Sequence, residues 1–320
     1  MKKVIAFVLA AVMLFALCAC GSEAPAADKK TFTVGICQLT QHPALDAATE
    51  GFKAALTEKL GDKVVFSEQN ASGDSATCAV ICNQFVSEEV DLIMANATPA
   101  LLAAASATAS IPILGTSVTD YGSALGISDW NGTTGTNISG TSDLAPLDGQ
   151  AQIIKEMFPD AKVVGILSCS GEPNSVFQVS TISPMIKAMG FEVKEFTFAD
   201  SNDVSSVTES ACADCDVLYI PTDNTAANCA EAINNVAQNA GVPIVCGEEN
   251  LCKGCGVATL SISYFDLGFA TGEMAAKILT EGADVSAMPV EFAPQFTKEF
   301  DADRCAALGI TAPADFTAIA

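Results

Sequence analysis

Six short apolar runs in this chain each end in a cluster of small hydroxyl, amide or carboxylate side chains. Gln38, Gln41 and His42 follow the first, and Asn96, Ala97 and Thr98 precede Pro99 after another. Thr116, Ser117, Thr119 and Asp120 follow a third. Later in the chain come Glu172, Pro173, Asn174 and Ser175, then Thr222, Asp223 and Asn224, then Glu248 and Glu249. Such groups also cap helices and fill turns, but their recurrence at all six places suits hydrogen-bonded recognition of a polar zwitterion. Thr98, just before Pro99, is placed to cap a helix whose free N–H groups and dipole attract an anion. Thr98 with Ser117 or Thr119 is therefore expected to hold a carboxylate. An ammonium needs carboxylate or carbonyl acceptors in a partly dry cleft. Asp223 is the first choice for it, then Asp120, then Glu249. Gln38, His42, Asn174, Ser175 and Asn224 complete the expected polar clamp. A capping role for Asp120 or Asp223 is the alternative.

The runs that carry these residues alternate with amphipathic helices. Phe32–Ile36, Val64–Ser67, Asp91–Ala95 and Ile111–Leu114 read as strands. Pro43–Leu60, Thr77–Ser87 and Pro99–Thr108 read as helices, the first with Pro in its opening turn and Gly61 past its end. Continuously apolar strands between such helices imply parallel sheet covered on both faces. The order then recurs. Val34-Gly35-Ile36 is matched by Val164-Gly165-Ile166, Val64–Phe66 by Glu195–Thr197, Asp91–Met94 by Asp216–Tyr219, and Ile111-Pro112-Ile113 by Val242-Pro243-Ile244. Offsets of about 125 to 131 residues suggest a duplicated βα unit. The expected fold class is α/β, with two doubly wound parallel-sheet lobes. Ligands bind outside the carboxyl ends of such strands, here in a cleft between the lobes.

Composition narrows the function. The net charge of −23 argues against nucleic acid as a partner, because phosphate binding needs clustered Lys and Arg. Arg304 is the sole arginine, so no Arg clamp is available for a carboxylate. His42 is the one histidine, and beside Pro43 it reads as a capping or cleft-lining group rather than a base. No G-x-S-x-G elbow, phosphate loop or dinucleotide fingerprint is present, which argues against an enzyme and against a cofactor. Only three Tyr and one Trp are present, which argues against a sugar stacked on such rings. Tyr121, Trp130, Tyr219 and Tyr264 are the candidates for an aromatic wall. The thirteen cysteines leave three readings open. The leading one is mostly buried free thiols. Disulfides are the second, and a structural metal at Cys212-x-x-Cys215 and Cys252-x-x-Cys255 is the third.

The chain opens Met1-Lys2-Lys3 and runs apolar from Val4 to Leu17, too short for a membrane span of about 20 residues. Leu17-Cys18-Ala19-Cys20-Gly21 resembles a bacterial lipobox. That resemblance implies a leader over 1–19, lipidation of Cys20, and a tether to residue 31 of the composition seen in Ser22–Lys30. An ordinary secretory leader with Cys20 merely nearby is the alternative. Loss of Lys2 and Lys3 would take the charge from −23 to −25. The Asn-x-Ser/Thr sites at Asn70, Asn96, Asn131 and Asn137 read as chance.

Several motifs together resemble a known family. They are Gly35-Ile36-Cys37-Gln38 with His42-Pro43-Ala44-Leu45-Asp46, Ala97-Thr98-Pro99-Ala100, and Ser117-Val118-Thr119-Asp120. Asn137-Ile138-Ser139-Gly140 with Ser142-Asp143, Glu172-x-Asn174-Ser175, and Ile220-Pro221-Thr222-Asp223-Asn224 complete the set. In this order they are similar to ABC transporter substrate-binding proteins of the tryptophan or tyrosine type. Tyr121 departs from the Pro associated with that position, which leaves the ligand open among aromatic and branched amino acids. The resemblance implies a type I periplasmic-binding fold with three hinge crossings, placed near Gly140, Ser261 and Asp284. Lobe 1 is then 32–140 with 262–284, and lobe 2 is 141–261 with 285–320. The helix Tyr264–Leu279 would return to lobe 1. The implied protein is a monomer anchored only by lipid on the extracytoplasmic face of the cell membrane, passing an amino acid to an ABC permease. A nucleoside or other small solute, or a sensory role, is the alternative.

Overall fold

The computed structural model describes residues 31–293 and 295–319. The expected leader and Cys20 lie outside them. In the first lobe, β1 (Phe32–Gln38), β2 (Val64–Asn70), β3 (Leu92–Asn96), β4 (Ile113–Val118) and β5 (Ile138–Ser142) alternate with α1 (Pro43–Leu60), α2 (Ser75–Ser87), α3 (Thr98–Ala107) and the short α4 (Tyr121–Ala124). The second lobe contains α5 (Leu147–Met157), β6 (Val163–Cys169), α6 (Pro173–Ala188), β7 (Glu192–Phe198), α7 (Val204–Asp214) and β8 (Val217–Ile220). It continues with α8 (Asn224–Asn228), α9 (Ala230–Ala240), β9 (Ile244–Cys246), α10 (Glu249–Cys255) and β10 (Ala258–Ser261). Then α11 (Tyr264–Ala276) and β11 (Glu291–Phe292) rejoin the first lobe, and β12 (Thr297–Phe300), α12 (Ala302–Leu308) and β13 (Thr317–Ala318) end in the second.

The two sheets run β11-β5-β4-β3-β1-β2 and β13-β12-β10-β9-β8-β6-β7. Five strands in each follow the same 2-1-3-4-5 order, so the repeat read from the sequence is a repeat of topology. Pairing is parallel except between β10 and β12. Val34 and Ile36 on one face of β1, and Cys37 near its end, are fully buried, as a strand covered on both sides requires. Separate apolar clusters fill the two faces of each sheet. A small fifth cluster of Ala44, Ala48, Ile262, Tyr264 and Leu267 packs α1 against the chain that returns from the second lobe. All of these lie beyond Phe32, so a chain starting at Ser22 retains every one.

α11 crosses α1 at backbone contact. A Cβ on Gly268 would run into the Ala48 carbonyl, and one on Gly51 into the Phe265 carbonyl. The α-helical part of α11 stops at Ala276. One wide, π-type turn over Lys277–Glu281 follows, ended by Gly282 in the left-handed region.

Two of the expected crossings move. Asn137–Gly140 is not a hinge loop: Ile138–Ser142 is a buried strand, and Asn137 Nδ2 ties it to the Thr108 and Ile111 carbonyls at 3.2 and 2.7 Å. Gly140 serves the close approach of β4, since a Cβ there would meet the Gly115 carbonyl. The chain leaves the first sheet only after Ser142. It also does not leave near Asp284, because Glu291 and Phe292 pair with Thr141 and Ser142; the third passage lies between Phe292 and Thr297. The second passage follows Ser261.

Candidate functional site

The carboxyl ends of both sheets face each other across a narrow inter-lobe cavity. His42, Ala44, Leu45, Ser117 and Thr119 line it from the first lobe. Asn174, Thr222, Asp223, Asn224, Ala227 and Glu248 line it from the second, and Asp143 and Tyr264 from the passages between lobes. Two lobe-to-lobe contacts close it. His42 Nε2 lies 3.2 Å from Asn224 Oδ1, and Asn228 Nδ2 donates to Thr40 Oγ1 at 2.8 Å. Beyond them the cleft opens into a wider polar mouth, on whose wall Asn224 also stands.

The hydrogen bonds around Asn224 set the state of His42. Asn224 Nδ2 donates to Glu172 Oε2 at 2.7 Å, so its Oδ1 is the atom facing the ring. The ring therefore donates from Nε2, and Nδ1 is left as an acceptor. Burial lowers the His42 pKa, against the pull of Asn224, Glu172 and Asp46, and so keeps the ring neutral. Nδ1 has no partner among the described residues.

Asp143 is the carboxylate with capacity to spare. Its Oδ2 accepts from the Tyr264 hydroxyl at 2.9 Å. The Thr119 hydroxyl lies near enough to favour the charged form, yet Oδ1 has no partner within hydrogen-bond geometry among the described residues. Burial pushes its pKa up to about 6, against those two hydroxyls. The other cavity carboxylates are used. Asp223 takes the Cys169 N–H at 2.6 Å, the Ser175 hydroxyl at 2.7 Å and the Ala226 N–H at 2.8 Å. Burial, then the neighbouring Glu172, push its pKa up to about 7. Glu248 caps α10 through the Asn250 and Leu251 N–H groups, and burial raises it to about 7.

The expected ligand set therefore divides. His42, Ser117, Thr119, Asn174, Asp223 and Asn224 come together around the cavity. Asp223 does so as the cap of α8, taking two donors on Oδ2 and one on Oδ1. Ser175 is spent on Asp223. Gln38 reaches Asp46, the Thr40 carbonyl and Thr49, which shapes the β1–α1 turn behind His42. Asp120 caps α4 through the Ser123 N–H. Thr98 is not a cap; it is the first residue of α3, with Ala97 at the cap in a left-handed conformation. Its unpartnered hydroxyl faces a side pocket shared with Asp120 and Asn174. Glu249 pairs with Lys253 at 2.8 Å outside the cavity.

Of the four aromatic candidates only Tyr264 reaches the cavity. Tyr121 is core: its hydroxyl donates to the Thr141 carbonyl at 3.1 Å and its ring stacks on Trp130. The Tyr219 hydroxyl is spent on Gln150. Asp143 is not among the expected site residues; Thr222 and Glu248 stand in the strand-end clusters without an expected role, and Tyr264 is expected only as an aromatic wall. Asp143 follows β5 just as the other site residues follow their strands, but β5 is too polar to read as a strand. The eleven cysteines among the described residues are free thiols, and all but Cys229 are buried. No group of three or more His, Cys, Asp or Glu side chains among those residues is placed to hold a metal.

Two parallel-sheet lobes closing on a polar, partly unpartnered cavity define a type I periplasmic-binding protein. Residues 33–320 match the sequence profile of the ABC transporter substrate binding protein family, and the chain belongs to that family. It is 36% identical to the tyrosine-binding protein of Clostridioides difficile strain R20291, over 90% of this chain and 87% of that one. A Streptococcus pneumonia ABC domain in complex with L-Trp superposes with a TM-score of 0.85 at 30% identity, over 89% of this chain and 97% of that one. A ligand-free, open substrate-binding protein of Clostridium difficile, described as having adhesive properties, gives 0.69 at 36% identity, over 90% and 99%. The better superposition falls on the less identical, ligand-bound relative, as the closed cleft here would lead one to expect.

Proposed function

We propose that this protein is the solute-catching lipoprotein of an ABC importer. It is anchored outside the cytoplasm through Cys20, catalyses nothing and acts as a monomer. It holds an aromatic amino acid between its lobes and passes it to a permease. The observation that carries the reading is the inter-lobe cavity in which Asp143 keeps one carboxylate oxygen unpartnered and buried. Leaving such an acceptor unsatisfied costs about 1–3 kcal/mol, and more for a charged group, so it is suited to an ammonium donor. Ala44, Leu45, Ala227 and the Tyr264 ring supply apolar surface for a side chain. The L-Trp complex and the tyrosine-binding relative support the aromatic class.

Closure follows from population shift. A ligand that contacts His42 and Ser117 on one lobe and Asn174 on the other binds the closed form better, and moves the equilibrium by that difference. The test is calorimetric titration of the chain from Ser22, unfolded and refolded to strip carried-over ligand, against the twenty amino acids. Micromolar or tighter binding of tyrosine, tryptophan or both supports the reading. A folded protein that gives no heat with any amino acid would refute it.

A further inference from the structure

We infer that Tyr264 is a positioning residue: its hydroxyl, apart from its ring, turns the free oxygen of Asp143 toward the ligand and so sets the affinity of the site. This rests on the proposed function and deepens it, by naming the group that aims the ammonium acceptor.

A carboxylate can present either oxygen, and its neighbouring donors decide which. The Tyr264 hydroxyl gives its proton to Asp143 Oδ2 at 2.9 Å, and Oδ1 is the oxygen left over at the cavity. The direction of that bond is set as well. The Thr222 hydroxyl lies close enough to Tyr264 to donate to its oxygen, which leaves the phenol proton for Asp143. The Thr119 hydroxyl approaches Asp143 too. A line of hydroxyls thus runs from Thr222, past the end of β8, through Tyr264 to Asp143 and Thr119. Asp143 follows β5 at the first passage, and Tyr264 opens α11 after the second. Both stand where the lobes pivot, so their contact is placed to survive opening.

The ring is held independently of the hydroxyl. It is buried, and packs with Ala44, Ala48, Ile262 and Leu267. Phe in its place keeps that packing and removes only the donor. The titratable groups around the pair are Tyr121 near Asp143, Glu248 near Tyr264, and His42 and Asp223 at the cavity wall. None is a lysine or arginine, so no cation among the described residues takes over from the hydroxyl as the partner of Asp143.

The test is a double-mutant cycle of Tyr264→Phe and Asp143→Asn, read by calorimetry at pH 7.5 on the refolded chain from Ser22 with L-tyrosine and L-tryptophan. In the wild-type background Tyr264→Phe is expected to raise Kd more than about threefold. In the Asp143→Asn background the sign changes. There the hydroxyl holds the amide oxygen and leaves the NH2 toward the ligand, so its removal frees the amide to turn its oxygen to the ammonium. Kd then stays level or falls. A smaller rise in the first background, or a weakening beyond about twofold in the second, overturns the inference. A second measurement needs no ligand: the carboxyl carbon of Asp143, assigned by its loss in Asp143→Asn, is followed against pH by NMR. Its midpoint of about 6 should rise by about one unit in Tyr264→Phe, because a donor to the charged form is gone. An unmoved midpoint overturns the inference. A moved midpoint in a protein that binds no amino acid upholds the contact and overturns the proposed function.

Discussion

Replacing Asp143 by Asn separates recognition from folding. The amide oxygen still accepts from the Tyr264 hydroxyl, so the amide NH2 stands where the unpartnered oxygen was, and that acceptor and its negative charge are lost to the ligand. A hydrogen bond to a charged group is worth about 1.5–3 kcal/mol net. With the lost charge attraction in a dry site, the loss is about 1.5–2.5 kcal/mol, and Kd rises about 10- to 70-fold. Stability moves the other way. The folded-state pKa of about 6 lies above the ordinary carboxylate value, so at pH 7.5 the empty protein is holding a disfavoured charge. Asn relieves it, by on the order of 2 kcal/mol, and raises Tm by about 4 °C. The wild-type affinity also falls as pH drops through about 6, because the ligand's ammonium must then displace a proton from Asp143, and the variant lacks that slope. Calorimetry from pH 5 to 8 and thermal unfolding of the ligand-free protein check all three. A Kd within twofold of wild type, or a lower Tm without ligand, would refute the reasoning.

Asp223→Ala acts on the fold: it strips the Cys169 and Ala226 N–H groups and the Ser175 hydroxyl of their acceptor. The expected loss is about 2–3 kcal/mol, read as a lower urea midpoint, with Asp223→Asn milder. Gly268→Val drives a side chain into the Ala48 carbonyl and should cost about 3 kcal/mol or more by the same measurement; an unchanged midpoint would dismiss the close packing of α11 on α1. Ligand-free stability should rise on acidification from pH 8 to 5.5. Asp143, Asp223 and Glu248 all have raised folded-state pKa values of about 6, 7 and 7, so their contribution is present at low pH and lost as pH rises through those values. His42, held low, opposes them with stability that is lost as pH falls. A Tm that is flat or falls toward pH 5.5 at constant ionic strength would contradict this. Native thiol titration of the chain from Ser22 should find one accessible cysteine, absent in Cys229→Ser, because the other described thiols are buried; burial and Asp223 raise the Cys229 pKa, so it should react more slowly than a free thiol.

Much of this protein was legible in one dimension. Apolar runs such as Val34–Ile36 and Leu92–Met94 have no polar alternation, so they specify strands buried on both faces, and helices between them specify parallel order. The spacing of the two sets of runs disclosed the duplicated topology. The rule that ligands sit past the carboxyl ends of parallel strands brought His42, Ser117, Thr119, Asn174 and Asn224 to one cavity before any contact was known. β5 escaped because Ser139, Gly140, Thr141 and Ser142 carry little hydrophobicity; burial by α11 and pairing with β4 make them a strand. With it went Asp143, and with β11 went the correct third passage.

Roles, unlike positions, were decided by tertiary contacts. Asp143, Asp223, Glu248 and Glu249 are all carboxylates beyond a strand, and the chain does not distinguish them. What does is which oxygens the fold has already satisfied. Asp223 and Glu248 are closed in by backbone N–H groups of their own lobe, and Glu249 is turned outward to Lys253. Asp143 stands where two lobes and Tyr264 meet, with one oxygen left over. A residue's type and its place after a strand are local properties, carried by the sequence itself. Its remaining hydrogen-bonding capacity depends on neighbours more than a hundred residues away, and only the folded chain brings those neighbours into reach.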